Sequence, residues 1–172
     1  RRDTANFYYG YPLAAVLTVN AGGTPVGIAR AALEAFRERL PGRPITYTTY
    51  ANKAEAPVTH LQIGEAALKI DSADAHMRLA SSILDDNPGV KLSTLARVKA
   101  RAHVSAATGL AREAVDLLFY SSGASAIQSH VPIQRLQRDM QALANHAIMH
   151  PQTTTETYGR VLCGLEPNTP LY

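Results

Sequence analysis

Tryptophan is absent from the 172 residues, cysteine occurs once, and aromatic side chains make up only 6%. The lone Cys163 excludes an internal disulfide framework and fits a reducing cytoplasm. No run of about 18 apolar residues occurs, and the first residues lack the ordered charged, apolar and small sections of a signal peptide. The expectation is therefore a chain that neither spans a membrane nor is exported. Charge of one sign is also in short supply, with 17 basic residues against 14 acidic ones. The arginines are spread along the chain, so no nucleic-acid surface is implied. Repeats and low-complexity tracts are missing. Strand-forming sequence is nearly missing too. Only Arg43 to Asn52, with Thr46, Tyr47, Thr48, Thr49 and Tyr50, has strand-like propensity. Without a partner strand that segment reads as an extended loop.

What is present is alanine, 28 of 172 residues, and alanine is the best helix former. Proline and glycine clusters divide the chain into four long segments, which predict an all-α, up-and-down four-helix bundle. The first helix is expected over residues 11–40, with a kink or break at Gly22-Gly23-Thr24-Pro25, because an interior proline removes a donor and clashes with the preceding turn. The second is expected over 54–84, with Pro57 near its start, an apolar track through Leu61, Ala66, Leu68, Ile70, Ala73, Met77, Ala80 and Leu84, and a stop at Asp85-Asp86-Asn87-Pro88-Gly89. The third runs over 93–120, with Ser93 as N-cap and apolar residues from Leu95 to Leu117 at steps of three and four. A fourth opens at Pro132 and continues through Ile133, Leu136, Met140 and Leu143 to about Met149, followed by a shorter helix from Thr154 to Gly164. Residues 1–172 thus read as one helical domain. Because the chain opens with Arg1-Arg2-Asp3 rather than methionine, it reads as processed or as part of a longer protein.

Few residues carry obvious chemistry. His146 and His150 are four apart, a spacing that on a helix can chelate a metal, but Ala147 stands where the zinc helix pattern needs Glu and Glu156 is the one candidate third ligand nearby. No metal is expected. His150 before Pro151 would complement the negative end of the fourth helix. His146 alone can be either structural or an acid and base near neutral pH. His60, His76, His103 and His130 stand in no constellation. Cys163, beside Val161 and Leu162, reads as a buried packing residue. The turn Ser121-Ser122-Gly123-Ala124-Ser125 can offer hydroxyl and N–H groups to a phosphate, or simply end a helix. Among Lys91, Arg97, Lys99 and Arg101, the pair Arg97 and Arg101 can grip an anion together, although a solvated face is the plainer reading.

The segment Pro132-Ile133-Gln134-Arg135-Leu136-Gln137-Arg138-Asp139, followed by His146, Pro151, Thr154-Thr155-Glu156 and Gly159-Arg160, resembles the C-terminal helical domain of the acyl-CoA dehydrogenase superfamily. The likeness is closer to its flavin-dependent monooxygenase branch. It extends over nearly the whole chain, including the glycine-containing turn at Ser121 to Ser125 and the segment Gly64-Glu65-Ala66-Ala67. Many dehydrogenases of the superfamily carry a Tyr-Glu-Gly-Thr segment after Arg-Asp, whose glutamate is the base; here His146 and Ala147 stand there. In the two-component hydroxylases a histidine at this place faces the flavin ring, so the resemblance implies His146 as the catalytic residue. It also implies that Ser121, Ser122 and Gly123, with Thr154 and Thr155 from the loop after Pro151, line the flavin pocket. The implied reaction uses reduced flavin, FMN or FAD, delivered by a partner flavin reductase. Dioxygen (O2) is the co-substrate, and one oxygen atom goes to a small organic substrate of aromatic type. In such proteins an N-terminal helical domain and a β-barrel precede the helical part, and helix faces build a homo-oligomer, usually a tetramer. Two alternatives remain at this level: an acyl-CoA dehydrogenase-like oxidoreductase with its base elsewhere, and a non-catalytic helical oligomerisation domain.

Overall fold

The computed structural model describes residues 10–86 and 91–172. Five α-helices occur among them: α1 (Leu13–Glu38), α2 (Pro57–Asp85), α3 (Thr94–Ser121), α4 (Pro132–Ala144) and α5 (Pro151–Leu162). Single 3-10 turns at Lys53–Glu55 and Ala124–Ile127 precede α2 and follow α3. No strand occurs among the described residues, and no helix there is long and apolar enough to cross a membrane. The all-helical architecture expected from alanine content and periodicity is the one observed.

Local chemistry explains most boundaries. Ser93 caps α3 by accepting from the Ala96 N–H at 3.1 Å, satisfying one of the orphan donors of a first turn. Pro57, Pro132 and Pro151 each stand in the first turn of a helix, where a missing N–H costs nothing. Helix α3 stops at Gly123, whose φ of 77° is a conformation other residues rarely adopt.

Helix α3 is the central element and packs against each of the other four. The Tyr11 hydroxyl donates to the Leu84 carbonyl at 2.6 Å, joining the start of α1 to the end of α2, so these helices are antiparallel. Lys69 pairs with Glu113 at 2.7 Å and His76 meets His103 at 2.9 Å, which sets α2 antiparallel to α3. The contact faces are alanine-rich: Ala29, Ala32, Ala66, Ala73, Ala107, Ala111 and Ala114 are completely buried. Small faces bring helix axes close, and Phe36, Leu118, Ile133 and Met140 fill the remaining space, each worth about 1.5–3 kcal/mol of burial. A second apolar cluster, with Tyr11, Leu84, Leu92, Val104 and Met149, closes the opposite end of the bundle.

Several expectations need correction. Helix α1 continues through Pro25 rather than breaking there. Pro25 is fully buried, and Gly22 one turn earlier nests against Met77 and Val104; packing along α1 outweighs the lost hydrogen bond. The fourth helix ends at Ala144, not Met149. Asn145 turns its side-chain amide back to the Gln141 carbonyl at 2.9 Å, Met149 is drawn into the second core cluster, and α5 begins at once with Pro151. His146 and His150 therefore do not share a helical face, and His150 precedes the positive end of α5 rather than completing a negative one. Leu61 and Leu68 are 74% and 69% exposed and lie outside the core, although Ala66, Ile70, Ala73, Ala80 and Leu84 on the same track are buried. Cys163 is exposed. The stop expected after α2 is met at Asp85, while Asn87, Pro88 and Gly89 lie outside the described residues.

Candidate functional site

At the end of the bundle where α1 and α3 finish and α2 begins, a cleft of about 830 Å³ opens beneath the loop that leads into Lys53. Ser121, Ser122 and Gly123 line it, together with Ser125. Three cations enter it from other elements: Arg39 after α1, Arg43 in the loop, and Lys53 in the 3-10 turn. Arg39 and Arg43 each place an Nη2 at 3.4 Å from the Ser125 hydroxyl. Lys53 donates to the Ser121 carbonyl and lies over the Phe36 ring, 5.2 Å from its centroid. No carboxylate is found among the described residues that line the cleft.

This arrangement has an electrostatic cost. Burial first, and then the charges of Arg43 and Arg39, hold the Lys53 ammonium below the ordinary lysine range. Burial and the neighbouring Arg43 lower Arg39 in the same sense. Two polar atoms here, Arg39 Nη1 and Ser121 Oγ, are buried and have no hydrogen-bond partner. Like charges gathered without an acid, beside unpaired donors, suit a bound anion with several acceptor oxygens, which a phosphate supplies. The sequence expectation located the serine turn but missed the cations. They are spread from residue 39 to residue 53, and only the irregular loop brings them together.

His146 lies at the other end. It is exposed, in the turn between α4 and α5, and its Nδ1 accepts from the Ile148 N–H at 3.3 Å. A neutral ring whose Nδ1 accepts carries its proton on Nε2, so His146 presents an Nε2–H donor outward. Next to it the Nδ1 of His150 is buried without a partner. Thr154 is buried and its hydroxyl donates to the His150 and Pro151 carbonyls at 3.0 and 3.1 Å, so that hydroxyl is already used within the helix. Thr155 is exposed at the start of the second turn of α5.

The expected residues therefore form two groups. Arg101 of α3 touches the carbonyls of Ala147 and Ile148, and from Arg101 to Ser121 the helix advances roughly 30 Å. His146 and the Ser121 turn do not meet within this chain. The remaining candidates behave differently from their sequence reading. Arg97 does not join Arg101 in an anion grip; it stacks on the Tyr172 ring at 4.4 Å, and Arg101 is engaged by backbone carbonyls. His76 and His103, read as isolated, share a hydrogen bond between their Nδ1 atoms. No group of three or more metal-ligating side chains occurs among the described residues.

This helical architecture is that of a known family. Residues 20–151 match the model of the acyl-CoA dehydrogenase C-terminal domain, and the chain belongs to that family. It is similar to the oxygenase subunit HsaA of a flavin-dependent monooxygenase from Rhodococcus jostii, 31% identical over 95% of this chain and 43% of that protein. It is also similar to the oxygenase component of the FADH2-dependent resorcinol hydroxylase of a Rhizobium strain, at 27% identity over 92% of this chain and 41% of the relative. The oxygenase component of p-hydroxyphenylacetate 3-hydroxylase from Acinetobacter baumannii is 30% identical over 83% of this chain and 34% of its own length. Among solved structures, XiaF from a Streptomyces species, in complex with FADH2 and glycerol, superposes with a TM-score of 0.87 at 29% identity, covering 92% of this chain and 41% of XiaF. The chain thus spans about two fifths of the length of the first of these relatives.

Proposed function

We propose that this chain is the C-terminal helical part of the oxygenase component of a two-component, flavin-dependent aromatic hydroxylase. In this reading a helical domain and a β-barrel precede it in the complete protein. A cytoplasmic flavin reductase supplies the reduced flavin, FMN or FAD. The observation that carries the reading from the residues upward is the basic, carboxylate-free cleft with its two unpaired buried polar atoms, Arg39 Nη1 and Ser121 Oγ. Its chemistry fits the phosphate of a flavin nucleotide. Similarity to oxygenase components that act on resorcinol and p-hydroxyphenylacetate supports phenolic compounds as the substrate class.

When bound, reduced flavin supplies the electrons for reaction with dioxygen and for delivery of one oxygen atom to the substrate. The chain's own residues bind and orient. Arg39, Arg43 and Lys53 hold the phosphate, and Ser121, Ser122 and Gly123 offer the turn against which it rests. Thr154 and Thr155 shape the wall beside the ring, Thr154 by packing and Thr155 by its exposed hydroxyl. His146 donates from Nε2 to the oxygen of the substrate, which fixes the ring carbon to be attacked and holds one proton at that atom. Acting instead as a base through Nε2 would require the other tautomer and break the Ile148 bond, so the neutral ring serves first as a donor.

Because the basic cleft and His146 stand at opposite ends of α3, each protomer serves two different flavin sites in a homo-oligomer, a tetramer in the complete enzyme. The Arg39 end of one copy completes a site whose histidine comes from another. Complementation tests this. Full-length Arg39→Gln and His146→Ala proteins are each expected to be slow in hydroxylation, and co-assembled mixtures recover activity, because some sites then receive both intact groups. Mixtures no faster than the two parents would refute the shared site.

A further inference from the structure

Arg101 is a half-buried cation in the first half of α3, and the hydrogen bonds of its guanidinium go to backbone carbonyls. Nε donates to the Ile148 carbonyl at 3.1 Å, Nη2 to the Ala147 carbonyl at 3.0 Å, and Nη1 to the Leu171 carbonyl. Burial lowers its affinity for the proton. A guanidinium taken partly out of water is most often matched by a carboxylate. Here the carbonyl dipoles of two consecutive residues accept two arms of its rigid fork, which fixes the orientation of both peptide planes.

The plane between Ala147 and Ile148 is the informative one. Its carbonyl oxygen accepts from Arg101, and its N–H donates to His146 Nδ1 at 3.3 Å. In a planar trans peptide these two groups point in opposite directions. A cation on the oxygen polarises the unit and makes the N–H a better donor. The path from Arg101 through this one peptide to the imidazole therefore both aims the ring and selects its tautomer. The third arm reaches the segment 165–172, which is fastened independently: Arg97 stacks on Tyr172, Asn168 bonds to Thr157 and Glu156 at 2.8 and 3.0 Å, and Arg160 donates to the Glu166 carbonyl at 3.2 Å.

We propose that Arg101 is a positioning residue that holds His146 as its Nε2–H tautomer, acting through the Ala147–Ile148 peptide with the segment 165–172 as a brace. The catalytic consequence rests on His146 donating to substrate; the tautomer control does not. In the full-length protein, Arg101→Gln removes the cation while retaining one short donor, and Arg101→Lys keeps the charge but loses the fork. Nitrogen-labelled histidine NMR, with His146 assigned by comparison with His146→Ala, reads the tautomer. Single-turnover hydroxylation with pre-reduced flavin reads the rate, and thermal unfolding confirms that each variant is folded.

The expected result for Arg101→Gln is a mixed His146 tautomer and a transfer step slower by roughly 10- to 100-fold, as for a reactive group displaced by about an ångström, with flavin affinity unchanged. Arg101→Lys is expected to fall between it and the parent, and it takes over the test if the glutamine variant does not fold. An unchanged tautomer in a folded variant overturns the proposal whatever His146 does. A shifted tautomer with an unchanged rate, where His146→Ala is slow, overturns the catalytic consequence. If His146→Ala is also as fast as the parent, the failure belongs to the reading of His146 as substrate donor, and the catalytic half of the proposal falls with it.

Discussion

Arg39→Gln is the most informative single change in the basic cleft. The arginine brings a buried, unpartnered Nη1 and an Nη2 that reaches Ser125 at 3.4 Å, and it stands among two further cations without an acid. In the unliganded protein its loss relieves like-charge repulsion, because the Arg39 and Arg43 charges each weigh on Lys53. The empty protein should consequently unfold no earlier than the parent. With a phosphate in place the balance reverses. A hydrogen bond to a charged group is worth about 1.5–3 kcal/mol, so losing one weakens the flavin nucleotide by roughly 10- to 150-fold. Anaerobic titration of the full-length protein with reduced FMN and with reduced riboflavin, which lacks the phosphate, isolates this term. FMN affinity should fall by that factor while riboflavin affinity stays put. The salt dependence of FMN binding should also become shallower. Equal losses for both ligands, or none for either, would refute the assignment of the cleft to a phosphate.

Two further outcomes follow from other parts of the bundle. His103 is held below the ordinary histidine value of 6.5, by burial first and then by the charges of His76 and Lys99. The unfolded chain then binds the proton more readily than the folded one, so stability is full above about pH 6.5 and declines as the pH falls below it. Urea midpoints measured across that range should show the decline, and His103→Gln should flatten it. On the outer face of α2, Leu61 and Leu68 are exposed at 74% and 69% and flank Gly64, with Glu65 and Lys69 alongside. If this face is buried between copies, replacing both leucines with glutamate should lower the mass seen in light scattering, while the helical circular dichroism of the protein is kept.

The extent to which this structure could be read from sequence follows from which interactions are local. Ser93, Pro57 and Pro132 announce helix starts through capping and first-turn chemistry that involves only their neighbours, and those boundaries were legible. Pro25 was misleading because it is buried on a face of α1 that packs against distant parts of the chain, Met77 and Val104 closing on Gly22 one turn earlier. The end of α4 was missed for a similar reason: Met149 belongs to a core cluster assembled from all parts of the sequence. Leu61 and Leu68 fit a helical period yet face outward, since periodicity marks a face without saying what covers it. At the site, Ser121, Ser122 and Gly123 stood out in the sequence as a hydroxyl-rich turn and line the cleft, while the role of His146 is proposed from family resemblance. Arg39, Arg43 and Lys53 were not legible, because no spacing rule covers cations gathered by an irregular loop.

Isotope labelling gives the sharpest test of the proposed oxygen transfer. The complete protein, supplied with reduced flavin and heavy-isotope dioxygen, would be mixed with resorcinol and p-hydroxyphenylacetate as probe phenols, and the products weighed by mass spectrometry. The expected product is a hydroxylated phenol carrying one labelled oxygen atom, formed in proportion to the flavin oxidised and much reduced in the His146→Ala protein. Flavin oxidation that yields only hydrogen peroxide with every phenol tried, together with reduction of the oxidised flavin by an acyl-CoA thioester, would contradict it.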